Sequence, residues 1–229
     1  MARLHNYSQH FLRSPQLVKE LLGHSNIRAS DTVIDIGAGS GIISDMLAER
    51  GCKVLAIEPE SEAARKLELH LAGYQNVSLI KEDFLTFTLP SEQYKIFSNI
   101  PFHLSSPIVR KLTEAENPPQ SIYLIVQKQF ARKLVPGRDH FTAQLGTELG
   151  ARYTARIRRP LERNDFTPPP GVDTVLLELL LRDTPLILLQ QLKKYRAFVT
   201  ECYSRQKFFA QVITQTKLFS PELRPSQLS

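Results

Sequence analysis

The chain has 229 residues, 42% of them hydrophobic and 23% charged, with a formal net charge of +6. That is room for one full α/β domain and a small appendage around a buried core. No apolar run approaches the roughly 18 residues of a membrane span, and the opening MARLHNYSQHFLRS lacks the apolar stretch of a secretory signal. Cys52 and Cys202 sit in apolar segments without partner spacing, so a reduced, cytoplasmic protein is expected rather than a disulfide-bonded one; a monomer is also expected.

The predicted elements alternate along the front of the chain. Thr32 to Ile36 is a short apolar run ending at Gly37, a buried strand. Ser40 to Arg50 carries Ile42, Ile43, Met46 and Leu47 at helical spacing. Strands at 53–57 and 77–80 bracket a helix over 61–72. A strand at 94–97, a helix at 107–115 and a strand at 121–126 follow. Strands alternating with helices of this length predict parallel βαβ units in a doubly wound sheet. Their right-handed crossovers bring the carboxyl ends of the strands to one edge, where ligands bind.

After residue 150 the pattern changes. Residues 152–159 alternate apolar residues with Arg152, Arg156 and Arg158, a half-exposed strand with arginines on one face. Phe166-Thr167-Pro168-Pro169-Pro170-Gly171-Val172-Asp173 is a stiff loop. The apolar strand 174–182 then pairs antiparallel with 152–159. From Leu186 onward Leu188, Leu192, Tyr195, Val199 and Cys202 keep one helical face. The expected division is a ligand-binding catalytic domain, 1–183, and a small helical appendage, 184–229. Residues 1–150 hold 16 basic and 16 acidic side chains, so the whole excess, 13 over 7, lies in residues 151–229. A neutral front and a basic back point to a polyanionic partner.

Asp35-Ile36-Gly37-Ala38-Gly39-Ser40-Gly41 joins the first long strand to its helix. It is neither a dinucleotide fingerprint, since Ile42 or Ser44 falls where the third glycine belongs, nor a phosphate loop with Gly-Lys-Ser/Thr. The second strand tip ends in Glu58, an acceptor for ribose hydroxyls. The third is followed by Glu82-Asp83-Phe84, an acid for an adenine amine beside a ring for its face. The fourth ends in Phe97-Ser98-Asn99-Ile100-Pro101-Phe102-His103: an amide, a fixed backbone and a flat ring side by side.

This arrangement resembles the class I S-adenosylmethionine-dependent methyltransferases, a Rossmann-like α/β fold. Asn99-Ile100-Pro101-Phe102 looks like the tetrad of enzymes that methylate exocyclic nucleobase amines. SQHFLRS at 8–14, DIGAGSG, IEPE, EDF, NIPF and FTPPPGVD stand in the order found in the rRNA adenine N6-methyltransferases. That family joins the erythromycin-resistance enzymes of the large-subunit RNA and the small-subunit adenine dimethylases. Ile100, Phe102 and the short appendage resemble the former. The resemblance implies cofactor contacts from His10 (in place of the usual Asn), Leu12, Gly37, Gly39, Glu58, Asp83, Phe84 and Asn99. It also implies transfer to an adenine N6 in 23S rRNA, with resistance to macrolide-lincosamide-streptogramin B antibiotics.

In such a site Asn99 Oδ1 and the Ile100 carbonyl accept the amine hydrogens and aim the nitrogen lone pair. Pro101 fixes the backbone. Phe102 stacks on the base, and Phe166 is the expected second face or else a core anchor. Lys128, Arg132, Lys133, Arg138, Arg158 and Arg159 are expected to contact RNA phosphates, with Arg110 and Lys111 on the rim. No metal is expected. A small-subunit dimethylase and a non-catalytic nucleic-acid-binding relative are the alternatives.

Overall fold

The computed structural model describes residues 10–137, 141–216 and 224–227. Strand β1 (Phe11–Leu12) leads into helix α1 (Pro15–Gly23), where Ser14 Oγ accepts the Leu17 N–H and Pro15 takes the first helical position. Then come β2 (Thr32–Ile36), α2 (Ile42–Glu49), β3 (Lys53–Ile57), α3 (Ser61–Leu71), β4 (Val77–Ile80), β5 (Lys95–Asn99), α4 (Ser105–Glu114) and β6 (Ser121–Gln127). Helices α5 (Lys128–Leu134) and α6 (Gln144–Gly150) precede strands β7 (Tyr153–Leu161), β8 (Phe166–Thr167) and β9 (Thr174–Leu181). Helices α7 (Leu192–Ser204) and α8 (Gln206–Thr216) follow.

The seven-stranded sheet runs β4-β3-β2-β5-β6-β9-β7. Its first five strands are parallel; β9 runs antiparallel to β6, and β7 to β9. β6 shows why both faces are covered. Ile122, Leu124 and Val126 enter the core beneath α4, α5 and α6, while Tyr123 and Ile125 enter the other core with α1 and α2. A strand buried on both faces must be apolar throughout, as SIYLIVQ nearly is.

Between β2 and β5 the sheet changes direction: β2 continues to β3, and β5 to β6. The two strands pair only at Val33↔Lys95 and Ile34↔Ile96. Beyond that, Ser98 Oγ accepts the buried Ile36 N–H (2.7 Å). The strands therefore part at their carboxyl ends without orphaning a donor, and a crevice opens where a doubly wound sheet binds ligands.

The expected hairpin is present as β7 and β9, with an irregularity between Ile157 and Arg159. Arg152 departs from expectation: it is buried, and its guanidinium donates to the Thr113 (3.1 Å) and Ala115 (3.0 Å) carbonyls at the end of α4. The helical face read from Leu188 begins at Leu192, and Leu186, Leu188 and Leu189 are exposed. Helices α7 and α8 meet through Cys202, Phe209 and Ile213. Tyr195 Oη donates to the Thr147 carbonyl (2.8 Å) and Tyr203 Oη to the Thr142 carbonyl (2.9 Å), tying α7 to the α6 region. Cys52 and Cys202 are free and buried. Among the described residues no helix is long and apolar enough to cross a membrane.

Candidate active site

The turn after β2 leaves no room for a side chain at Gly39. Gly37 (φ +67°) and Gly39 (φ +51°) both lie in the left-handed region, and a Cβ on Gly39 would stand 2.8 Å from the Phe11 ring. From the tip of β3, Glu58 reaches under this turn: Oε2 accepts the Gly39 N–H (2.9 Å) and Oε1 the Glu60 N–H (3.0 Å). At 5% exposure it is a fixed carboxylate with lone pairs still open toward the crevice. Behind it Asp35 is fully buried and bonded to Ser44 Oγ (2.8 Å); burial, with Glu58 nearby, pushes its pKa up to about 7 against the Ser44 bond.

Asp83 follows β4 at the head of a tight turn. Its Oδ1 accepts the Leu85 N–H (2.8 Å), and its carbonyl accepts those of Thr86 and Phe87 (both 3.0 Å). At the tip of β5, Asn99 Nδ2 donates to the His10 carbonyl (2.6 Å). A carbonyl only accepts, so this bond fixes the flip of the amide and leaves Oδ1 on the other side. The His10 ring lies over Phe102, centroids 5.6 Å apart, and its Nδ1–H donates to the Pro168 carbonyl (2.8 Å). The amino-terminal segment thus crosses the tetrad.

These tips enclose one cavity of about 400 Å³, lined by His10, Phe11, Gly37, Gly39, Glu58, Pro59, Glu60, Asp83 and residues 99–104. Three carboxylates and no lysine or arginine face it among the described residues. That balance suits a cationic sulfonium with an ammonium tail, and the glycines at 37 and 39 give the close approach such a ligand needs. The residues present therefore fit S-adenosylmethionine.

Three expected contacts fall elsewhere. Leu12 turns into the core, because alternate residues of a strand face opposite sides, and Phe11 lines the cavity instead. Phe84 is buried in the core with α4 and does not line the cavity. Phe166, at 0% exposure, pairs across β1–β8 with Leu12 and packs in the same core. It is the core anchor, not a face for a base. Phe11 was missed, although its place beside buried Leu12 signals it.

A family model described as ribosomal RNA adenine dimethylase matches residues 3–216. The chain belongs to that family. It is 33% identical over 200 residues to an rRNA adenine N-6-methyltransferase of Limosilactobacillus reuteri, covering 87% of this chain and 80% of that one. Against the enzyme of that name from Enterococcus faecalis it is 33% identical over 216 residues, covering 92% and 83%. The fold matches the crystal structure of the 23S rRNA methyltransferase ErmE with a TM-score of 0.79, at 24% identity over 95% of this chain and 96% of that one. This rRNA adenine N6-methyltransferase accordingly uses S-adenosylmethionine and acts on ribosomal RNA.

The basic residues of the methyltransferase divide. Lys128, Arg132 and Lys133 on α5 are exposed, and among the described residues none has an ion-pair partner. Arg138 lies outside the described residues. Arg156 and Arg158 (3.8 Å) both reach Glu178, and Arg159 lies 2.6 Å from Glu20, an ion pair without hydrogen-bond geometry. Arg110 is taken by Glu148 and Glu114 (2.8 and 3.1 Å). Lys111 points inward to backbone carbonyls, not to the rim.

Proposed function

We propose that the protein N6-methylates one adenine of 23S rRNA and thereby confers resistance to macrolide-lincosamide-streptogramin B antibiotics. The observation that carries the reading is the tetrad Asn99-Ile100-Pro101-Phe102 at the switch point, opening on a cavity with the carboxylates Glu58 and Asp83. The tetrad's Ile100 and Phe102, the form that resembles the large-subunit enzymes, support the large-subunit target.

Bound S-adenosylmethionine supplies an electrophilic methyl on a sulfonium. Glu58 holds its ribose, Asp83 its adenine amine, and the Gly37–Gly39 turn and the His10 segment its methionine end. The obstacle is the adenine N6 lone pair, delocalised into the ring. Asn99 Oδ1, left free by the bond from Nδ2 to His10, and the Ile100 carbonyl accept the two amine hydrogens and direct the lone pair at the methyl. Pro101 keeps that carbonyl aimed. The flipped base takes the place over Phe102 that the His10 ring holds. This is positioning chemistry, without an obligatory general base. Lys128, Arg132 and Lys133 hold the RNA backbone, sequence-independently.

Methyl transfer to rRNA, with the modified nucleotide placed by mass spectrometry, tests the reading. A labelled adenine in 23S rRNA and a raised erythromycin inhibitory concentration are expected. Dimethylated adenines in 16S rRNA would support the small-subunit alternative, and no label on any RNA would remove the enzyme from consideration. Asn99→Ala should lower kcat by about 10²–10³-fold, as for other groups that act by positioning, with RNA affinity nearly unchanged.

A further inference from the structure

The turn that carries Asp83 is held by a side chain from another layer. Lys111, on α4, donates from Nζ to the carbonyls of Phe84 (2.7 Å) and Leu85 (2.9 Å) and to that of Phe87. Its ammonium stands 5.1 Å from the centroid of the Phe84 ring. An ammonium has three donors, so all are spent inside the protein and none remains for a phosphate. The turn's N–H groups are satisfied by Asp83 itself, through Oδ1 and its carbonyl. Its carbonyls point the other way and converge on one place, where without a cation they would repel one another.

Helix α4 has a second duty. It begins directly behind the tetrad: Leu104 N–H donates to the Pro101 carbonyl (2.9 Å), and Ser105 Oγ to the Phe102 carbonyl (2.9 Å). One rigid helix thus holds the methyl-transfer end of the cavity at its start and the Asp83 turn farther along.

We infer that Lys111 is a positioning residue for cofactor recognition: it clamps the 84–87 turn onto α4 so that Asp83 meets the cofactor's adenine amine in register with Asn99. The inference rests on the assignment of Asp83 to that amine. Burial depresses the ammonium's pKa, and the charge of Asp83 opposes the depression, as proximity of the two groups requires.

The test is binding, measured calorimetrically without turnover. S-adenosylhomocysteine carries the adenine amine; S-inosylhomocysteine has a carbonyl in its place. Wild type should prefer the former by about tenfold or more, the usual worth of a hydrogen bond to an ionised group. Lys111→Met keeps the stem and removes the ammonium, and the preference should fall to about threefold or less. Should that variant not fold, Lys111→Arg serves, since a planar guanidinium cannot meet three convergent carbonyls and the preference should fall there too. A variant that keeps the wild-type preference, whatever its melting temperature, overturns the inference. A wild type indifferent to the two ligands overturns it through the Asp83 assignment, a failure visible before any variant is made.

Discussion

Helix α5 and strand β7 carry the same kind of charge and present opposite surfaces. On α5, which starts at the carboxyl edge of β6, Lys128, Arg132 and Lys133 stand exposed, with no ion-pair partner among the described residues. On β7, Arg156 and Arg158 converge on Glu178, which is buried on the neighbouring strand β9, and Arg159 faces Glu20 of α1. The first set is free to neutralise phosphates. The second is largely spent on the fold's own carboxylates. A charge counted in a sequence becomes a charge offered to a partner only when no neighbour has taken it.

The largest effect that would break this contrast lies on α5. Replacing Lys128, Arg132 and Lys133 together by Ala should weaken RNA binding by about 10²-fold and reduce the salt slope by about 2–3, read by filter binding over a salt series. An unchanged slope would place the interface elsewhere. Arg156→Ala with Arg158→Ala should do the reverse. RNA affinity should stay within about threefold, while stability in urea falls by about 1–2 kcal/mol because Glu178 is left buried and unpaired; the half-exposure of Arg156 keeps the loss below that of a fully buried pair. A clear affinity loss would return these arginines to the RNA interface.

Asp35 sharpens the contrast from the other side: a buried carboxylate given a hydroxyl partner instead of two guanidiniums. Its pKa is raised from 3.8 to about 7. Between those values the folded state holds a proton that the unfolded chain has lost, so this group's contribution falls as pH rises from about 4 to 7 and is level above. Asp35→Asn removes the dependence. Its melting temperature should exceed that of wild type at pH 8 and approach it near pH 4; parallel profiles would mean that Asp35 stays ionised.

The βαβ order and the four strand tips were legible because each rests on a local rule. Apolar runs of four to seven residues make buried strands, glycines mark a turn at positive φ, and an acid at a strand tip has few structural reasons to be there. The site's second layer was not legible. Leu12 and Phe84 each follow a cavity residue, yet both face the core, because a two-residue strand or a tight turn sends adjacent side chains to opposite sides, and Phe166 joins that core as the strand partner of Leu12. Lys111 reads as one more rim cation and is a half-buried clamp. Arg152 reads as the first of an arginine face and instead satisfies the carbonyl end of α4.

By itself, the alternation of strands and helices determined the edge of the sheet where ligands bind, and the order of motifs along the chain carried the resemblance that implied the family and its cofactor. Only the tertiary structure decided which aromatics face the cavity, which cations are free, and that the His10 carbonyl fixes the Asn99 amide. Each of those depends on a partner distant in the chain: 89 residues for His10 and Asn99, 27 for Lys111 and Phe84, 22 for Arg156 and Glu178. No local pattern encodes such a meeting; it exists only once the core has closed.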